Sequence, residues 1–394
     1  MIKKLTEKFT KIDYDNFENY DPFLFLKFMY ILCGIWPLDK SYYPNYARKI
    51  IHILPSLSMT GIFLIMMSAF FSPSVSTEDF IEIFSLQSAA ITALTRMYFL
   101  LLRKPQVYSM IYHTIEMETK GPIQLLSKEE CIIINKWRII QDFLTKMLSV
   151  GYLLGVIFYL IPPAFFRKLP FPVFIPENLC TEWYTRLYII ECIAIFLSCP
   201  AWVSLDLYLC IFLCQLCMHL ELVYAAVQDL RGKDRATLHT IIRRHSKVLM
   251  YGQKLCEVVH YIFFAICCSY GSFLIFGTIT IGEISWKTHG ALAIKNIVTL
   301  VVCSSTIYLI CYVGELLQDL SSRIGDGILL DNYAEHGSNR KYLKELEIMN
   351  DRCKLSLKIE YTPNMIVNMK LFTNIMNYVV STYIFVNTMF VNPV

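Results

Sequence analysis

Charge is scarce in this chain. Asp, Glu, Lys and Arg make up 17% of its 394 residues, where a soluble domain carries roughly 25%. That is too little to coat a water-facing surface. The hydrophobic residues, 55% of the total, come in blocks, and the mean hydropathy is +0.46. Chemistry-bearing motifs are missing as well. No glycine-rich phosphate loop, nucleophile elbow or His-Glu-x-x-His pair occurs, so neither an enzyme nor a cofactor is expected. The first twenty residues, MIKKLTEKFTKIDYDNFENY, hold no apolar core or small-residue cleavage site, so insertion should begin at an internal span. Fourteen cysteines are present, mostly inside apolar runs. Cys180 alone falls in an expected outer loop, which leaves no loop-to-loop disulfide framework. The net charge of +4 is spread along loops and makes no nucleic-acid-binding face.

What is there is a series of long apolar runs. A helix needs about 20 apolar residues to cross the hydrocarbon layer. Seven segments qualify, at roughly 50–71, 80–102, 139–164, 187–218, 258–281, 290–313 and 365–391. The fourth is longer than a span needs and should tilt or continue as helix into the cytosol. A shorter run, PFLFLKFMYILCGIWPL (22–38), suits an interfacial helix. Basic residues set the orientation. With the N-terminus inside, 28 of the 36 Lys and Arg residues are cytosolic and only Arg167, Lys168, Arg186 and Lys287 are outside. The expectation is an all-α membrane protein of seven transmembrane helices, with a cytosolic N-terminus, an extracellular C-terminus and an N-terminal interfacial helix. This orientation excludes a G-protein-coupled receptor, whose N-terminus lies outside.

Three segments carry a family likeness. LCGIWPLDKSYYP (32–44) resembles the Gly-Leu-Trp-Pro segment of insect odorant receptors, and YVGELLQDLSSRI (312–324) resembles their Gly-Glu-x-Leu-x-x-x-Ser block. Thr382-Tyr383 matches a pair near the C-terminus of odorant and gustatory receptors. The chain departs from the family pattern in GDGILLDNY, which lacks the usual Ala and Trp. Met389 stands where gustatory receptors and the odorant coreceptor have Gln, and the loop at about 219–257 lacks the coreceptor's long insertion. The resemblance therefore implies a ligand-tuning subunit. It would assemble with a coreceptor as a heterotetramer in the plasma membrane, among membrane lipid, as a ligand-gated non-selective cation channel. The implied domains are 1–49 (cytosolic N-terminus and interfacial helix), 50–314 (ligand-binding bundle), 315–364 (cytosolic anchor) and 365–394 (pore helix). A gustatory receptor channel is the alternative within the superfamily, and a multi-span transporter a more distant one.

On the last helix, Lys370, Thr373, Asn374, Asn377, Ser381 and Thr388 fall along one stripe at 100° per residue. Aligned on Thr382-Tyr383, Val386 and Phe390 occupy the positions that form the coreceptor's hydrophobic gate, nearly opposite that stripe. The register assigns the gate to Val386 and Phe390 and the polar stripe to contacts with spans five and six. A small volatile ligand needs a concave, aromatic-lined, sparsely polar site. Candidates in the outer halves are Phe80, Phe84 and Gln87 in span two, Tyr152, Gly155 and Tyr159 in span three, and Tyr188, Cys192 and Ile195 in span four. The loop at 165–184, with three prolines, could fold over them as a lid. Arg96, Lys146 and Lys295 lie near span ends and should snorkel. Asp206 lies deeper and could pair with Lys146 of the preceding helix. Cys210, Cys214 and Cys217, with His219 nearby, read as core packing and not as a metal site. The run Leu343, Leu346, Met349 and Cys353 in 315–362 reads as amphipathic helix suited to subunit packing.

Overall fold

The computed structural model describes residues 24–32, 45–69, 77–119, 127–165, 169, 180–230, 234–283, 286–331, 340–354, 356–362 and 365–388. They form ten helices: α1 (Leu24–Leu32), α2 (Asn45–Ala69), α3 (Thr77–Leu102), α4 (Lys104–Thr119), α5 (Lys128–Phe165), α6 (Cys180–Gln228), α7 (Arg235–Glu283), α8 (Trp286–Asp331), α9 (Arg340–Cys353) and α10 (Met369–Val386). A two-stranded antiparallel hairpin, β1 (Glu360–Thr362) with β2 (Met365–Ile366), joins α9 to α10.

Local sequence starts several of these helices. Before α5, Ser127 and Glu130 make a capping box: the Glu130 N–H donates to Ser127 Oγ and the Ser127 N–H to Glu130 Oε2, both at 3.1 Å. Asp234 caps α7 by accepting from the Thr237 N–H at 3.1 Å. Helices α6, α7 and α8 run for 49, 49 and 46 residues. At 1.5 Å per residue each is roughly 70 Å long, about twice the hydrocarbon thickness, so each continues well past a membrane. The continuation expected of the fourth span is present in α6, and α7 and α8 share it. By length and composition four segments among the described residues can cross a bilayer: Lys128–Phe158, Val203–Gln228, Arg235–Gly282 and Asn296–Ile328. Shorter apolar stretches lie in α2 (Ser56–Met67) and α3 (Ala90–Leu100).

Helix α6 is the central post. Every residue from Val203 to Leu220 is buried, as expected of a helix that is apolar all round, and α2, α3, α5, α7 and α8 pack about it. Cys210, Cys214 and Cys217 belong to this core. Helix α1 packs on α6 as well, with Leu26 and Tyr30 fully buried. Polar clamps also tie the helices together. Lys136 of α5 bonds Glu221 of α6 at 2.6 Å, Arg244 of α7 bonds Glu130 at 2.9 Å, and Thr114 of α4 shares a 2.8 Å hydrogen bond with Tyr251 of α7.

The segment read as amphipathic helix, 315–362, is divided. Helix α8 carries on to Asp331, α9 is a separate helix, residues 356–359 belong to no helix, and 360–362 pair with 365–366 as strands. Leu346, Met349 and Cys353 are buried within this chain, where α9 packs against α8. Their apolar character is thus spent inside the subunit, not on a neighbour. On the exposed side of α9, Arg235 donates to Glu345 and holds its carboxyl below the usual carboxylate range.

Candidate functional site

Two arrangements stand out: a buried polar node among four helices and the seat of the last helix. The node joins Arg96 of α3, Tyr152 of α5, Asp206 of α6 and Tyr270 of α7. Arg96 Nη1 donates to Asp206 Oδ2 at 3.0 Å and to the Tyr152 hydroxyl at 3.3 Å. Tyr152 and Tyr270 both donate to the same carboxylate oxygen, Tyr270 at 3.0 Å, and their phenol oxygens lie 2.8 Å apart. The Arg96 guanidinium also sits 4.7 Å from the centre of the Tyr270 ring. Arg96 is 2% exposed and Asp206 0%. Burying either charge alone would cost several kcal/mol, and mutual attraction with two phenol donors offsets that cost.

This node corrects two expectations. Asp206 pairs with Arg96, not with Lys146, which instead bonds Asp142 one turn away on its own helix at 2.6 Å. Arg96 does not snorkel; it points into the bundle. The Lys295 side chain lies outside the described residues. A charge of each sign deep in two spans was the available signal, because intramembrane charges turn inward and pair.

The seat of α10 explains the Gly-Glu-x-Leu-x-x-x-Ser block. A Cβ on Gly314 would lie 2.5 Å from the Val367 carbonyl oxygen, so only glycine lets α8 touch the backbone just before α10. Glu315 Oε2 then accepts from the Met369 N–H at 2.8 Å. Asn368, the N-cap, accepts from the Leu371 N–H at 3.0 Å. Two open donors of the first turn are thereby satisfied, with a carboxylate at the positive end of the helix dipole. Leu317 is fully buried, and Ser321 Oγ accepts from the Leu357 N–H at 3.1 Å. At the other end, the Tyr383 ring lies against Gly282 of α7, where an added Cβ would come within 2.9 Å.

Above this seat α10 packs one face on α7 and α8, burying Val379 and half-burying Phe372, Ile375 and Met376. Lys370, Thr373, Asn374, Asn377, Ser381 and Thr388 are all exposed. The expected contact of this stripe with spans five and six is therefore absent: those helices hold the opposite face. Thr373 and Thr388 turn their hydroxyls back to carbonyls of their own helix at 3.0 Å. Val386 is half-buried and lies on the Val379 side of the helix. Phe390 lies outside the described residues.

The expected ligand residues divide among several places. Tyr152 is in the node. Ile195 packs with Ile62, Met66 and Ala194, against Val156 and Leu160. Near it, Tyr188 donates to the Leu160 carbonyl at 2.8 Å and stacks on Tyr184, and Cys192 is half-buried. Gly155 has open space where a side chain would stand. Gln87 is buried and donates to Met67 Sδ at 3.0 Å, which brings α3 to the α2 edge of the same region. Phe84 instead faces α7, 4.8 Å from the Phe276 ring centre. The side chains of Phe80 and Tyr159, most of the 165–184 loop and the 33–44 part of the Trp-Pro motif lie outside the described residues.

Known proteins give a concordant picture. The chain superposes on the insect olfactory receptor OR5 of Machilis hrabei in complex with eugenol with a TM-score of 0.81 at 12% identity, covering 96% of this chain and 100% of that one. A second structure of that receptor gives 0.79 at 12% identity, with 95% and 99% covered. At such identity these matches speak for the fold alone. No curated protein matches the sequence. The family model "7tm Odorant receptor" matches residues 76–380, well over half the chain; this protein belongs to that odorant receptor family.

Proposed function

We propose that this chain is the ligand-tuning subunit of a ligand-gated, non-selective cation channel. It spans the plasma membrane seven times with its N-terminus in the cytosol, and four subunits, coreceptor included, surround a pore beside α10. The observation that carries the reading is the state of α10. It is capped at its N-terminus by α8 and docked by one apolar face, and it leaves a row of amides, hydroxyls and a lysine open. Lipid offers such groups no hydrogen bonds, so the row needs water or another subunit. A wetted conduction path meets that need, and it makes the Lys370–Ser381 face the wall. Val386 and Phe390 remain the proposed hydrophobic constriction. That role requires α10 to turn about its axis in the assembly, since Val386 lies on the docked side.

The ligand proposed is a small, mostly apolar volatile in the outer half of the bundle. Gly155, with open space where a side chain would stand, is one turn from Tyr152 on α5, and Tyr188, Cys192 and Ile195 of α6 and Gln87 of α3 are taken as the remaining wall. Phe80, Phe84 and Tyr159 extend the proposed wall by sequence position. Support comes from a solved receptor of the same fold that holds eugenol. Recording current from cells that express this chain alone and with a coreceptor, under a panel of volatiles, tests the reading. Current evoked only in the mixture is expected; uptake of substrate without channel-like current would replace the channel by a transporter.

A further inference from the structure

A cavity of about 560 Å3 opens between α3 and α7. Its α3 wall runs from Ile91 to Leu102, a rise of roughly 16 Å, close to half of the roughly 30 Å hydrocarbon layer. Tyr261 and Ile266 form the α7 wall, and Arg96 stands at the back. The three aliphatic hydroxyls that line it are each turned to their own helix: Thr92 to Ser88 O at 2.7 Å, Thr95 to Ile91 O at 2.8 Å and Ser269 to Ile266 O at 3.2 Å. With the rings of Tyr98 and Tyr261 in the wall, the surface left to an occupant is mostly apolar. Ile91, Tyr98, Leu102 and Tyr261 are 49%, 47%, 77% and 52% exposed, so the groove is open along its length.

One mouth of this groove is charged. Arg103 follows Leu102 directly, is exposed, and lays its guanidinium 5.6 Å from the Tyr261 ring centre. Among the described residues it forms no ion pair. A leaflet-deep apolar slot ending at a cation held over an aromatic ring matches an acyl chain with an anionic head. We propose that the α3–α7 groove binds one phospholipid, its chain against Ile91–Leu102 and its phosphate and anionic headgroup at Arg103. With the orientation proposed above, on which only the choice of side rests, this is the cytosolic leaflet, where anionic lipid is concentrated. Arg96 is both the back wall of the groove and a member of the polar node, so the bound chain covers that node from the lipid side.

The test uses the full chain in phosphatidylcholine vesicles containing a phosphatidylserine with a photoactivatable acyl chain, beside a phosphatidylcholine probe bearing the same chain. Adducts are expected on peptides covering 91–102 and 261–269. Arg103→Gln should lower labelling by the serine lipid about fivefold, the worth of one basic side chain at a membrane surface, and lower the choline lipid, which shares the phosphate but has no net charge, by less. Thr95→Trp, which fills the slot, should lower both; Ile91→Trp is the second filling variant should the first not fold. Labelling insensitive to both filling variants, or equal loss of both lipids in Arg103→Gln, overturns the site. Chain-to-chain adducts in place of lipid adducts would make the groove a subunit interface and overturn it too. Labelling of the same peptides by a probe confined to the outer leaflet would support the lipid site while overturning the orientation. No volatile or coreceptor is needed, so the result stands apart from the channel reading.

Discussion

Arg96 and Asp206 are 2% and 0% exposed, whereas Lys370, Asn374, Asn377 and Ser381 lie open along α10. Both groups sit in apolar helices, yet polarity is handled in opposite ways. In the node two charges and two phenols are mutually bonded across four helices, and their burial is affordable only together. On α10 polar side chains are aimed away from their own subunit, while the apolar face alone holds the helix in place. Inward polarity fastens a bundle; outward polarity asks for something outside the chain.

Removing one member of the node should have the largest effect on stability. Asp206→Ala leaves Arg96 buried without its counter-charge and should cost about 3–5 kcal/mol, seen as loss of folded protein in fluorescence-detected size exclusion. Arg96→Met with Asp206→Leu should recover most of that loss; a single Asp206→Ala variant as stable as the parent would mean the pair is not sealed. Gly314→Ala comes next. Its methyl group meets the Val367 carbonyl, and displacement of the α10 seat should cost about 1–3 kcal/mol. Amide exchange at residues 369–373 should speed up, more than elsewhere in the bundle. Tyr152→Phe takes one hydrogen bond from Asp206 and should cost about 1 kcal/mol. If the volatile sits as proposed, its half-maximal concentration should shift as well. Asn377→Leu should change stability of the single chain least of all, because Asn377 is exposed among the described residues. Its current, measured with the coreceptor, should fall if the row is wetted. Val386→Asn run in parallel should raise unliganded leak; leak from neither and unchanged current from Asn377→Leu would remove α10 from the ion path.

Membrane class, the long helices and the polar stripe were readable because each depends on composition or on a single helix's period. What failed depended on neighbours. Lys146 looked a fair partner for Asp206 because both lie on successive spans. Which charges meet is decided by the depth and rotation of four packed helices, and Arg96 of α3 arrives at the right height. The stripe on α10 was visible, but the face that α7 and α8 grip is fixed by Gly282, Gly314 and Glu315, none of them on that helix. The Gly-Glu block was noticed as a likeness; its role as a seat needed Val367 beside it. The expected ligand residues were placed by outer-half position alone, and they separate once the helices turn. Phe84 goes to α7, while Ile195 and Tyr188 go to the α2–α5 side.

The clasp that Glu315 makes on Met369 has a bearing on how the chain tolerates changes of length. Residues inserted between α8 and α9 would lengthen a tether whose two ends are independently anchored. One residue added between Ser321's partner, Leu357, and Met369 would put the wrong amide under the carboxylate and rotate the terminal helix by roughly 100°. Such a change would swing the docked face a little over a quarter turn off α7 and α8 with no loss of any side chain.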